Sequence, residues 1–131
     1  MNAMTKKIRI FIVEDDPFLS LNLSQELLEI GYQVVGSAES GEEALKSIPE
    51  LKPDFVFMDI GLKGAIDGIE TASQLRAKHP VPFVFLTGFT DEATRKRAKI
   101  TQPCGFFLKP IDPAQLHAVI ELGVPKISQS G

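Results

Sequence analysis

Short apolar runs take turns with amphipathic segments along this chain, and that alternation narrows the available folds more than any other feature. Residues 7–13 (KIRIFIV) form a β-rich run that ends in Glu14-Asp15-Asp16. Asp16-Pro17 reads as a helix N-cap followed by proline at the first helical position. Phe18, Leu21, Leu28 and neighbouring leucines follow at helical spacing until Gly31. Residues 32–38 read as a second strand, and Ser40-Gly41-Glu42-Glu43 has the form of a capping box that opens a second helix. Pro49 and Pro53 bracket the exit of that helix. Residues 54–58 (DFVFM) are a third strand with Asp59 at its end. A glycine-bearing loop and a helix over about residues 68–78 come next. A fourth strand over 83–86 is closed by Thr87-Gly88, and a short charged helix spans 91–99. Residues 105–108 are the fifth strand, closed by Lys109-Pro110; Asp112-Pro113 then repeats the cap signal for a last helix to about Leu122.

Such βα alternation implies a parallel sheet with helices on both faces. The third and fifth runs are nearly continuously apolar, as expected of strands covered on both sides. Periodicity does not fix strand order; the common flavodoxin-like, doubly wound order for five strands is 2-1-3-4-5. A chain of 131 residues suits one core. The expected organisation is a flexible N-terminus over residues 1–6, one domain over 7–122 and a polar tail over 123–131.

Composition removes several function classes. A net charge of −3 carries no basic footprint for nucleic acid and gives little reason to lie on an anionic membrane. No apolar run is long enough to span a bilayer, and no signal-peptide stretch precedes the first strand. Cys104 is the only cysteine, which excludes intrachain disulfides and cysteine metal clusters; it reads as a small core residue at the start of the fifth strand. These features together favour the cytoplasm.

In parallel α/β sheets, ligands bind beyond the carboxyl ends of the strands. Here those ends carry Glu14-Asp15-Asp16, Asp59, Thr87 and Lys109, which the order above brings to one pocket. Taken singly, each has an ordinary reading: Asp16 before Pro17 is a cap, and a lone threonine or lysine at a strand end means little. Their convergence is what carries information. Crowded carboxylates either raise a pKa or recruit a cation. Hard oxygens suit Mg²⁺, which often uses one or two carboxylates together with a phosphate. Lys109 adds positive charge, and Thr87 a hydroxyl that can donate to a phosphoryl oxygen. An aspartate between a metal and a lysine is a good phosphoryl acceptor, because both cations offset charge on the transferring oxygens.

At these residues the chain resembles the receiver domain of two-component response regulators, over about residues 7–122. The carriers are Val13-Glu14-Asp15-Asp16, Phe57-Met58-Asp59-Ile60, Asp67-Gly68-Ile69-Glu70, Phe85-Leu86-Thr87-Gly88 and Phe106-Phe107-Leu108-Lys109-Pro110. The resemblance implies a phosphorylation switch with Asp59 as phosphoacceptor. It implies Asp15 as a direct Mg²⁺ ligand, Glu14 acting through metal-bound water, and the Gly61 backbone carbonyl as a further ligand. Thr87 would swing to the phosphoryl group, and Lys109 would pair with it. Pro110 would follow a cis bond, and Phe106 would be the aromatic that turns inward on activation. The implied partners are a sensor histidine kinase or phosphotransfer protein and an unknown downstream protein; oligomeric state stays open, although phosphorylation-linked homodimers are common among receivers.

Some residues depart from the family pattern. The loop over residues 60–67 is one residue longer than usual, Lys63 stands where many receivers have proline, and Gly88 follows Thr87 where alanine or serine is common. Phe89 is expected to shield the phosphoryl group from water. Arg95, Lys96, Arg97 and Lys99 form a basic stretch that reads first as a solvated helix face and second as a partner surface. A phosphatase with an aspartyl intermediate would carry a second acid where Gly61 stands. A nucleotide site after the first strand would meet repulsion from Glu14-Asp15-Asp16. A docking-only relative would have no need of Asp15, Asp59, Thr87 and Lys109 together.

Overall fold

The computed structural model describes residues 7–88 and 90–124. Its elements run β1 (Arg9–Val13), α1 (Pro17–Glu29), β2 (Gln33–Ala38), α2 (Gly41–Leu51), β3 (Phe55–Met58), α3 (Gly68–Lys78), β4 (Phe83–Thr87), α4 (Glu92–Ile100), β5 (Gly105–Leu108) and α5 (Pro113–Gly123). All strand pairs are parallel, and the five-stranded order is β2-β1-β3-β4-β5. This is the expected flavodoxin-like architecture.

Alternating side chains send the sheet's apolar residues into two separate cores. Ile10, Ile12, Phe55, Phe57, Val84 and Leu86 pack with Leu27 of α1 and Leu116, Val119 and Ile120 of α5. Phe11, Val13, Val56, Met58, Phe83 and Phe85 face Ala44 and Ile48 of α2, Ile69, Ala72 and Leu75 of α3, and Ala98 of α4. β1, β3 and β4 are thus buried on both faces.

The helix starts follow the cap chemistry. Asp16 Oδ1 accepts from the Phe18 N–H at 2.9 Å, and Asp112 forms a full capping box with Gln115. Ser40 accepts from the Glu43 N–H at 3.2 Å, but the reciprocal bond differs from a standard box. The Glu43 carboxylate takes the N–H of Glu39 at 3.0 Å, one residue earlier, while Ser40 pairs with Lys63 in an isolated bridge.

α2 runs through Pro49 to Leu51 and is capped at Lys52, whose φ of 49° is left-handed, so its exit falls between Pro49 and Pro53 as expected. Proline at a helix that is about to stop removes one ladder bond without ending it. Three expectations need correction. First, β5 is half-buried to exposed, not covered on both faces. It is an edge strand, and the adjacent α4 buries only Ala98. Second, Cys104 is exposed and precedes β5. Its sulfur nonetheless turns inward, 3.5 Å from where a Cβ on Gly123 would lie, and that partial burial pushes the thiol pKa up. Third, the helical spacing in α1 does not mark a buried stripe: Phe18, Leu21 and Leu28 are exposed, and Leu27 is the buried residue.

Candidate functional site

Backbone hydrogen bonds extend the sheet one residue past its strands, and this sets the site. The Glu14 N–H donates to the Ala38 carbonyl at 3.0 Å, and the Asp59 N–H donates to the Val13 carbonyl at 2.9 Å. Glu14 and Asp59 therefore stand side by side at the carboxyl edge. On the other side, the Lys109 N–H donates to the Thr87 carbonyl at 2.8 Å, which ties the ends of β4 and β5 together.

Carboxylate oxygens of Glu14, Asp15 and Asp59 lie within 4.8 Å of one another, with Glu14 and Asp59 buried and Asp15 half-buried. Asp16 is turned away as the cap of α1. The Lys109 ammonium donates to Asp59 Oδ2 at 3.2 Å and to Glu14 Oε1. Glu14 Oε2 accepts from the Asp16 N–H at 3.0 Å. Burial pushes the Glu14 carboxyl up, and the bonds from Lys109 and the Asp16 N–H offset that rise only in part. At Lys109, burial works against the charge, but the two carboxylates outweigh it and hold the ammonium's pKa above its usual value. Among the described residues three carboxylates face one ammonium, an excess of negative charge. That donor set of hard oxygens fits a small divalent cation.

Thr87 is buried at the end of β4. Phe106 pairs in register with Phe85, so its side chain shares a sheet face with Phe85 and Thr87. Its ring lies 6.1 Å from that of Phe85 and 4.8 Å beneath the Arg95 guanidinium. Gly61 is exposed in the loop after Asp59. The Lys109–Pro110 peptide is cis. Phe89 lies outside the described residues.

Several neighbours of the site were not evident from local sequence. Gly68 opens α3 as expected, but a Cβ on it would fall 1.8 Å from the Asp59 carbonyl oxygen. Its N–H donates to the Ile60 carbonyl at 2.8 Å. Asp67 caps α3 through the Glu70 N–H and also accepts from Arg97 of α4 at 3.1 Å. The basic stretch on α4 is thus partly engaged: Arg97 at Asp67 and Arg95 at Phe106. The presence of a glycine directly after a capping aspartate was the one available signal for the close approach at Gly68.

The chain matches the family model of the response regulator receiver domain over residues 10–121. It is 34% identical over 121 residues to the transcriptional regulatory protein PdtaR of Mycobacterium tuberculosis, covering 92% of this chain and 58% of that protein. It is 35% identical over 117 residues to the response regulator GacA of Pseudomonas viridiflava, covering 88% of this chain and 54% of that protein. The chain therefore spans little more than half the length of these curated relatives. Among solved structures, the signal receiver domain of a modulated diguanylate cyclase from Desulfovibrio desulfuricans G20 superposes with a TM-score of 0.88 at 37% identity, over 96% of this chain and 100% of that one. With the strand order, the acidic cluster and the lysine opposite it already in place, these matches close the question of kinship: the chain belongs to the response regulator receiver domain family.

Proposed function

We propose that this domain is a phosphorylation switch whose acceptor is Asp59, over a unit of residues 7–122. The observation that carries the reading is the placement of the Asp59 carboxylate between the acidic pair Glu14 and Asp15 and the Lys109 ammonium. Asp59 Oδ forms a bond to phosphorus while the donor's bond to that phosphorus breaks, and the donor leaves with the electron pair. The donor in the cell is a phosphohistidine of a histidine kinase or phosphotransfer protein, as the family implies. Mg²⁺ held by Glu14, Asp15, Asp59 and the Gly61 carbonyl would offset charge on the transferring oxygens. Lys109 is already within reach of Asp59 and pairs with the oxygens that arrive there. Thr87 donates its hydroxyl to one of them. The consequence is a shift near Thr87 and Phe106, which share a face, and a changed surface for a downstream protein.

Among the described residues no helix is long and apolar enough to cross a membrane; a cytoplasmic setting accords with histidine-kinase signalling. Incubation with Mg²⁺ and acetyl phosphate, followed by intact mass, tests the reading. A phosphate adduct is expected for the wild type and its loss in Asp59→Asn. An adduct that needs no Mg²⁺, or that persists in Asp59→Asn, would falsify the assignment.

A further inference from the structure

The loop over residues 60–67 follows Asp59 and includes the exposed Gly61, and it is fastened to α2. At its near end the Leu62 N–H donates to the Ile60 carbonyl at 2.9 Å, and Leu62 packs on the core. Midway, Lys63 pairs with Ser40. At the far end, Glu42 Oε2 accepts from the Ala65 N–H at 2.9 Å. Glu42 Oε1 lies 2.6 Å from where a Cβ on Gly64 would stand, and Gly64 has a φ of +102°. The carboxylate therefore fills the space that the left-handed backbone opens. Ile66 packs on Gly41, the first residue of α2.

Within α2, Glu42 adds only the first-turn negative charge that Glu43 adds as well. Ser40 serves the Glu43 N–H, and Glu43 serves the Glu39 N–H. Glu42 is exposed and adds nothing to the apolar core. Its side chain instead reaches across to a backbone N–H 23 residues away. We propose that Glu42 is a positioning residue for the cation site: by gripping Ala65 it holds the 60–67 loop, and with it the Gly61 carbonyl, in a ligating position before the cation arrives. The inference rests on the reading above that Gly61 lends its carbonyl to Mg²⁺. Preorganising a ligand lowers the ordering cost at binding, so the effect belongs in Mg²⁺ affinity rather than in the rate at saturating Mg²⁺.

Calorimetric titration of Mg²⁺ into the unphosphorylated protein, paired with amide exchange of the metal-free form, tests this. Glu42→Ala is expected to weaken Mg²⁺ by about five-fold, the scale of one lost hydrogen bond. It is also expected to speed exchange at the Ala65 amide by about ten-fold. Glu42→Gln keeps an acceptor oxygen and should stay within about two-fold of wild type on both readouts. Glu43→Ala removes a carboxylate from the same turn without touching the loop, and should leave Mg²⁺ affinity unchanged. Equal weakening in Glu42→Ala and Glu42→Gln would mean long-range charge rather than positioning, and would overturn the proposal. So would wild-type affinity and exchange in Glu42→Ala. A wild-type protein that binds no Mg²⁺ would instead remove the cation reading itself.

Discussion

A half-buried lysine between two buried carboxylates stabilises the fold only while all three are charged, and Lys109 is in that position. Glu14 and Asp59 would be left buried without a counter-charge in Lys109→Ala, a loss of about 1–3 kcal/mol for groups at a partly open pocket. The sign with pH follows from the protons. Lys109 has a raised pKa, so its contribution is present below 10.5 and is lost as pH rises through that higher value. Glu14 has a raised carboxyl pKa, so its charged form opposes folding increasingly as pH climbs above 4.5. Urea unfolding should therefore show the Lys109→Ala penalty growing as pH climbs from 4 towards 7 and Glu14 ionises. A penalty that is constant across that range would contradict the pairing. Gly68 offers a second test at this scale. Its missing Cβ is what lets α3 close on the Asp59 carbonyl. Gly68→Ala should cost about 1–3 kcal/mol through forced displacement, with slower phosphorylation by acetyl phosphate. Unchanged stability would show that the two backbones are not in contact.

Among the elements, α1 and α4 break the pattern of helices anchored by an apolar stripe. In α1, Leu27 is buried in the core while Leu21 and Leu28 are exposed. Leu27→Ala should cost about 2–5 kcal/mol and Leu21→Ser less than about 0.5 kcal/mol, measured by denaturant unfolding. α4 has one buried residue, Ala98, and is otherwise held by Arg97 on Asp67 and Arg95 over Phe106. Exposed contacts of this kind are worth little each. Its amides should therefore exchange faster than those of α5, which buries Leu116, Val119 and Ile120. Equal protection would mean that α4 is held by more than these contacts. Element type was legible because apolar runs, caps and prolines are local signals: Asp16-Pro17 and Asp112-Pro113 do what their spacing suggests. Which face of α1 is buried was not legible, because leucines on all sides satisfy helical spacing equally well. Pro49 and Pro53 marked the exit of α2 between them, because proline is tolerated only near an end of a helix or beyond it. The half-exposed state of β5 depends on its place at the sheet edge, which no residue within 105–108 encodes.

At the scale of the whole molecule, the site exists because the topology brings distant strand ends together. Glu14, Asp59 and Lys109 were legible as a group once parallel order was assumed, since each ends a strand. Their actual pairing was not, because Lys109 meets Glu14 across 95 residues of sequence. The same holds for Glu42 with Ala65 and Arg95 with Phe106: loop closure creates these contacts, and no local pattern announces them. A comparable long-range contact ties the far side of the fold. The Tyr32 hydroxyl lies 2.9 Å from His117 Nδ1 and donates to Glu121 Oε2 at 3.3 Å, joining the start of β2 to α5. Burial and the Glu121 charge push its pKa up to about 12. The folded state then keeps a proton that the unfolded state releases, so stability falls as pH rises from 10.0 to about 12. Tyr32→Phe should flatten that alkaline limb, and a limb of unchanged slope would assign it elsewhere. The central claim is that the pocket directs phosphorus to one oxygen-bearing side chain, and chemical trapping reads this directly. The domain is phosphorylated with Mg²⁺ and acetyl phosphate, reduced with borohydride and mapped by peptide mass. Conversion of residue 59 from aspartate to homoserine, with Asp15 and Glu14 intact, is the predicted result; homoserine at position 15, or no reduced residue at all, would contradict it.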